Sequence, residues 1–264
     1  MNQPVQGEVP ALSGLRGVYL LRDVPDDVLA EVGRVCRFKL FRARQPVMSR
    51  DDRDQDCYLI LSGRVRVVAL SPNGREVSFR EAGAGETIGE MSAIDGLPRS
   101  ATVVALQDAL LARLHPQDLL ALMRRHWSIN ERMLQHLARA ARGLTERVYE
   151  LSALNVSQRL CAELLRQSQV SGGTGTRLHR MHRLDPAPSH SELAARVSCT
   201  REQVTRELGD LRRDGVLSGA AREALVLDIA RLAERVAGLA AGAPPATARV
   251  DAGPVTGDTT VASV

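Results

Sequence analysis

Aromatic residues are scarce. Three Phe, three Tyr and one Trp make up 3% of the 264 residues, which argues against recognising single-stranded nucleic acid by base stacking. With a net charge of +4 and a pI near 9.2, duplex DNA is the expected polyanion. Long apolar runs are also missing: none approaches bilayer length. The first residues carry acids and prolines but no apolar core of a secretion signal. A cytoplasmic protein with no membrane partner is expected. The four cysteines, Cys36, Cys57, Cys161 and Cys199, are scattered. No pair has metal-ligand spacing and nothing suggests a disulfide framework, so reduced, buried thiols and no metal are expected. No nucleophile–base pair stands out to organise catalysis, and the chain is not expected to be an enzyme.

What is there suffices for two modest domains, with 44% apolar residues to fill their cores. Residues 1–14 read as a loose tail. Val24–Val35 has helical spacing, with Asp23 as N-cap and Val28, Leu29, Val32 and Val35 on one side. From Cys36 the period shortens. Phe38 and Leu40 alternate with polar neighbours; short apolar runs follow at 47–48, 57–61, 65–70, 77–79, 102–106 and 109–114. Ser71-Pro72-Asn73-Gly74 is a hairpin turn. Many short strands with turn signals predict a small antiparallel barrel or jelly roll.

Within that unit lies Gly-Glu-Thr-Ile-Gly-Glu-Met-Ser-Ala-Ile-Asp-Gly-Leu-Pro-Arg-Ser-Ala, residues 85–101. Gly89 permits close backbone approach, and residues 90–93 form one turn whose free N–H groups face an anion. Arg99 offers a planar fork for phosphate oxygens, with the Ser100 hydroxyl beside it. Glu90 suits a sugar hydroxyl better than a phosphate. Together they describe a nucleotide with a single phosphate.

A helical stretch begins at Pro116, with Leu119, Leu120 and Met123 on its apolar face, and breaks near Trp127-Ser128. Beyond the break Leu134, Leu137, Ala141, Leu144, Val148 and Leu151 recur at spacings of three and four, and Asn155 continues the row. Flanked by Arg139, Arg142, Glu146 and Arg147, this heptad seam predicts a helix that pairs two copies of the chain, a homodimer. Helix continues from Leu154 to Leu165. Residues 169–190, with His179, His182 and His190, read as a solvated basic loop or wing. Ser189 or Ser191 caps a short helix carrying Leu193, Ala194 and Val197. After Ser198-Cys199, Thr200 caps a second helix, Arg201–Arg213. The two form a helix-turn-helix, with Arg201, Glu202, Thr205 and Arg206 on the outer face and Val204, Leu208 and Leu211 inside. Ile229–Leu239 suits a further amphipathic helix, and residues 241–264 read as disordered tail.

Two of these stretches carry a family resemblance. Residues 85–101 resemble the phosphate-binding cassette of cyclic-nucleotide-binding domains. Residues 198–208, Ser-Cys-Thr-Arg-Glu-Gln-Val-Thr-Arg-Glu-Leu, resemble the recognition helix of Crp/Fnr regulators, closest to the cyclic-AMP-responsive members. The likeness spans roughly residues 15–228. It implies an α+β architecture: a β-roll (jelly roll) over 15–126, a dimerisation helix over 127–153, a winged helix-turn-helix over 154–228, and a helix and tail over 229–264. Ser62-Gly63 resembles the family's strand-turn glycine, and Asp214–Leu217 with Ala224–Leu227 its wing.

The resemblance also implies roles. Glu90 accepts from the ribose 2′-hydroxyl, and Arg99 and Ser100 hold the cyclic phosphate, assisted by Gly89, Met91 and Ser92. Where cyclic-AMP-specific members carry two hydroxyls on the long helix, this chain has Leu144 and Thr145, so one hydroxyl is missing. Cyclic AMP is the expected effector, with cyclic GMP as the alternative. Arg201, Glu202 and Arg206 read bases, joined at the DNA by Ser191, Thr200 and Thr205, in an inverted repeat like TGTGA-N6-TCACA; RNA polymerase is a further expected partner. The amino-terminal cysteine cluster of oxygen-sensing relatives is absent, which disfavours an iron–sulfur centre. The alternative within the family is a regulator that answers a redox signal at Cys36 or Cys57, or needs no ligand; the intact Glu90–Arg99–Ser100 set argues against it. An enzyme carrying a regulatory nucleotide domain is the alternative from another class.

Overall fold

The computed structural model describes residues 13–71, 76–170, 181–219 and 224–238. Outside it lie the tails at 1–12 and 239–264, the turn residues Pro72–Gly74, and His179. Eight strands, β1 (Arg37–Phe41), β2 (Pro46–Met48), β3 (Cys57–Ser62), β4 (Arg64–Leu70), β5 (Glu76–Gly83), β6 (Thr87–Ile88), β7 (Thr102–Ala105) and β8 (Ala109–Leu114), form two four-stranded antiparallel sheets. Their orders are β1-β8-β3-β6 and β2-β7-β4-β5. Phe41, Tyr58, Ile60, Val65, Ile88, Val103 and Leu111 fill the space between them. Strand β3 is apolar without alternation because both its faces are covered. Tyr58 and Ile60 point between the sheets, while Cys57 and Leu59 meet the helices outside. On β1 the alternating Phe38 and Leu40 stay exposed, and the strand buries Phe41 instead. Gly63 turns the chain from β3 to β4 at φ +86°, where a Cβ would lie 2.5 Å from the Ala109 Cα; only glycine fits.

Helices α1 (Asp26–Val35) and α3 (Pro116–Arg125) and the start of α4 (Trp127–Ala153) pack on the outside of the first sheet through Val28, Val32, Leu119, Leu122, Ile129 and Met133. Asp23 is not the cap expected for α1. It sits at φ +62°, and Pro25 occupies the N-cap position, followed by Asp26 and Asp27 in the positive first turn. The break before Trp127 falls at His126, which is extended and lies 3.0 Å from the Glu31 carboxylate.

Helix α4 is 27 residues long. It does not continue through Leu165 as expected. Leu154 is extended, and a reciprocal cap restarts the chain as α5 (Val156–Val170): the Asn155 and Gln158 side chains each accept from the other's backbone N–H at 3.0 Å. Asn155 therefore serves the start of α5 rather than the seam.

The carboxyl-terminal unit gathers α5, α6 (His190–Val197), α7 (Arg201–Arg213), α8 (Ile229–Val236) and a three-stranded sheet, β10-β11-β9. Within the stretch expected as a basic loop or wing, β9 (Met181–Leu184) is strand and pairs with β11 (Leu225–Asp228), whose other neighbour is β10 (Leu217–Ser218). Leu160, Leu164, Leu193, Val197, Val204, Leu208, Leu211 and Leu227 form the core, with Leu232 of α8 seated among them.

Charged side chains join this unit to the β-roll. Arg66 of β4 reaches Glu81 of β5 at 3.1 Å and Glu192 of α6 at 2.5 Å; Arg196 of α6 pairs with Glu81 and, at 3.1 Å, with Glu163 of α5.

Candidate effector site and nucleic-acid interface

Helix α2 (Glu90–Asp95) follows β6 directly, entered through Gly89 at φ +78°. A Cβ on Gly89 would lie 2.7 Å from Arg99 Nη1 and 2.8 Å from the Asp56 carbonyl oxygen. The glycine lets the Arg99 side chain lie against the backbone.

Arg99 is 2% exposed. Its Nη1 donates to the Gly89 carbonyl at 3.0 Å, and Nη2 donates to the Asp56 carbonyl at 2.6 Å and to the Asp54 carboxylate at 3.3 Å. Its Nε is buried and lacks a hydrogen-bond partner among the described residues. A buried charged N–H without an acceptor is costly, and an anionic oxygen brought to it supplies one. Arg113 pairs with Asp56, a side chain that is nearly inaccessible. Asp54, Asp56 and Arg113 went unnoticed in the sequence, because none belongs to residues 85–101.

Glu90 is buried, and His136 of α4 lies 3.3 Å from its carboxylate. Burial raises the Glu90 carboxyl pKa. Hydrogen bonds from His136 and from its own backbone N–H outweigh that and hold it below the usual value. Ser92 is buried; Met91 and Ser100 are exposed, with the Ser100 hydroxyl 3.9 Å from Met91 Sδ. The structure thus brings Gly89, Glu90 and Arg99 together and adds His136. Leu144 and Thr145 lie more than two turns beyond His136, roughly 12 Å along the axis at 1.5 Å per residue. Both are exposed, and the Thr145 hydroxyl donates to the Ala141 carbonyl at 3.1 Å.

The long helix carries an open apolar row. Leu134, Leu144, Val148 and Leu151 are 52%, 57%, 63% and 44% exposed, and Ala141 is exposed between them. Leu137 departs from the row, packing partly buried against the β-roll core.

In the helix-turn-helix, Ser189 caps α6 by accepting from the Glu192 N–H at 3.2 Å, and Glu192 accepts from the Ser189 N–H at 2.9 Å. Thr200 caps α7 in the same reciprocal way with Gln203. Between them Ser198 takes the left-handed conformation at φ +54°. Val204, Leu208 and Leu211 are buried, while Arg201, Glu202, Thr205 and Arg206 are exposed. The Thr205 hydroxyl is engaged within the protein, 2.9 Å from the Arg201 carbonyl and 2.8 Å from His190 Nδ1. Ser191, Thr200 and Arg201 also line a cleft of about 500 Å³ that Arg66 and Glu76 close from the β-roll side.

All four cysteines are buried. Burial and nearby Asp118 push the Cys36 thiol up to about 12, and burial, Glu90 and Cys36 push Cys57 well up. Neither is the accessible thiolate that redox sensing requires. Among the described residues no helix is long and apolar enough to cross a membrane.

Comparison with known proteins agrees with both halves. Residues 38–126 match the cyclic nucleotide-binding domain, and residues 158–235 match the Crp-like helix-turn-helix domain. A cyclic AMP receptor protein of Thermus thermophilus is 32% identical over 202 residues, 76% of this chain and 89% of that protein. A CRP-like cAMP-activated global transcriptional regulator of Mycobacterium tuberculosis is 28% identical over 179 residues, 67% of this chain and 78% of its own length. The solved structure of a CRP-family transcriptional regulator from Thermus thermophilus superimposes with a TM-score of 0.60 at 28% identity, covering 76% of this chain and 97% of that one.

Proposed function

Because the chain belongs to the Crp/Fnr family of DNA-binding transcription regulators, we propose that it works as a homodimer on duplex DNA under the control of a cyclic nucleotide. The observation that carries the reading is Arg99. Its guanidinium is buried beside Gly89 and near Glu90, with an Nε–H that lacks an acceptor among the described residues. A cyclic phosphate supplies that acceptor, and Glu90 takes the ribose hydroxyl. Cyclic AMP is the effector we assign, in keeping with the names of its relatives, and cyclic GMP is the comparison to run.

The apolar row of α4 supports pairing of two copies, since a second α4 covers Leu134, Leu144, Val148 and Leu151. A paired α4 also brings Thr145 of both copies towards the effector. Ligand control then requires that the effector contact the DNA-competent arrangement better than the other.

At the DNA, Arg201 and Arg206 each suit a guanine O6/N7 edge, and Glu202 suits a cytosine amino group. Thr205, its hydroxyl engaged, offers its methyl to a thymine methyl. The matching site is an inverted repeat like TGTGA-N6-TCACA. RNA polymerase is the protein partner such a regulator serves, and the cytoplasm is where the three meet.

The test is calorimetric titration of the purified chain with cyclic AMP and cyclic GMP, followed by binding to the repeat with and without nucleotide. Saturable binding of one nucleotide that tightens DNA binding is the expected result. Absence of binding to either sinks the effector assignment.

A further inference from the structure

We infer that Asp54 is an internal competitor for the effector, a carboxylate that holds the guanidinium which a cyclic phosphate has to engage. The inference deepens the effector assignment above and rests on it.

Asp54 lies in the segment between β2 and β3, outside residues 85–101. Its Oδ2 is 3.3 Å from Arg99 Nη2, and its Oδ1 accepts from the Asp56 N–H at 3.3 Å. The two partners differ sharply in freedom. The Arg99 side chain is 1% exposed and pinned by two carbonyls, whereas the Asp54 side chain is 41% exposed. A carboxylate and a phosphate oxygen are the same kind of partner for a guanidinium, an anionic acceptor. A phosphate that takes Nε bidentately also needs the neighbouring Nη2, the N–H group that Asp54 holds, and Asp54 is the partner exposed enough to swing away into water. Asp56 cannot replace it, because its side chain is buried against Arg113 and it meets Arg99 only through its backbone carbonyl.

Charge points the same way. The cations Arg99 and Arg113 face three carboxylates, Asp54, Asp56 and Glu90, with His136 against the last. The phosphate brings one more negative charge to this group, in which Arg80 also acts on Glu90, and Asp54 is the carboxylate free to withdraw from it. Displacing Asp54 has a modest cost, since its carboxylate is 41% exposed while the Arg99 side chain is 1% exposed, and that cost is subtracted from every binding event. The expected consequence is a raised effector threshold: the chain answers only to nucleotide concentrations that outcompete its own carboxylate.

The experiment is calorimetric titration of the full-length wild type, Asp54→Asn and Asp54→Ala with cyclic AMP and cyclic GMP at fixed ionic strength. Thermal melting of the nucleotide-free samples runs alongside. Asparagine keeps an acceptor for the Asp56 N–H and removes the charge; if that variant melts as misfolded, Asp54→Ala carries the test. Both variants should bind roughly two- to fivefold more tightly at unchanged stoichiometry. The gain should shrink as salt is raised. Wild type that binds while both folded variants bind equally or more weakly overturns the competitor role and leaves the effector assignment standing. If none of the three chains binds either nucleotide, the effector assignment has failed, and this inference with it.

Discussion

His136 stands 3.3 Å from the Glu90 carboxylate, so the long helix and the turn entered through Gly89 are joined within one subunit. The imidazole comes from α4 and the carboxylate from α2. On the proposed reading, a ribose hydroxyl that takes one Glu90 oxygen acts on a group already tied to the helix proposed to pair two copies.

His136→Ala should destabilise the β-roll by about 1–3 kcal/mol at neutral pH, the scale of a hydrogen bond to a charged group. The sign with pH follows from Glu90. Its folded pKa is lowered, so the stability it contributes is present above the unfolded value of about 4.3 and is lost as pH falls through the folded one. Wild type and variant should therefore converge in stability in acid. Urea titrations across pH 3 to 7 measure it; a constant difference across that range would contradict the assignment.

Arg99→Leu should weaken cyclic nucleotide binding at least tenfold. The structure adds a penalty that the sequence did not show: the carbonyls of Gly89 and Asp56 lose their buried donors, at a cost of about 1–3 kcal/mol each. Arg99→Lys is the cleaner probe, keeping the charge without the planar fork. A lysine variant with wild-type affinity would show that shape plays no part.

Replacing Leu144 and Leu151 together by Asp should leave the chain folded and monomeric in sedimentation. Both side chains are solvent-exposed within one subunit, so the charges stay hydrated there and cost only a few tenths of a kcal/mol in helix propensity; between two subunits they must be desolvated. A variant that remains dimeric places the interface elsewhere.

Arg206→Ala should cost about 1–3 kcal/mol of DNA affinity and relax selectivity at one symmetric pair of guanines. Competition among sites varied one base pair at a time, at fixed salt and nucleotide, separates this from a phosphate contact. Equal loss for every site would reduce the residue to a backbone grip.

What could be read ahead of the structure was local. Thr200 was legible as the cap of α7, its partner Gln203 only in the structure, and the glycine at 89 and arginine at 99 meet within one short loop. Long-range pairings were invisible. His136 shares no periodic signal with Glu90, and Asp54 lies in a polar stretch, Arg50–Gln55, that marks only a loop. The end of α4 escapes the apolar pattern for a different reason. Apolar spacing runs on through Leu154 and Leu160, but the reciprocal cap of Asn155 and Gln158 offers the backbone a better local arrangement than one more helical turn. On β1 the alternation was real, yet it marked the outward face.

Glu192 answers to two masters. One carboxylate oxygen accepts from the Ser189 N–H and closes the first turn of α6, while the other takes Arg66 from the β-roll. Genetic changes at this position cannot be independent: a substitution that releases the DNA-binding unit from its neighbour also frays the helix on which the recognition helix leans. Arg66 has no such second duty in α6. Variation in how the two halves are held together is therefore more readily tolerated on the β-roll side, and a screen for altered coupling between them should recover changes at Arg66 more often than at Glu192.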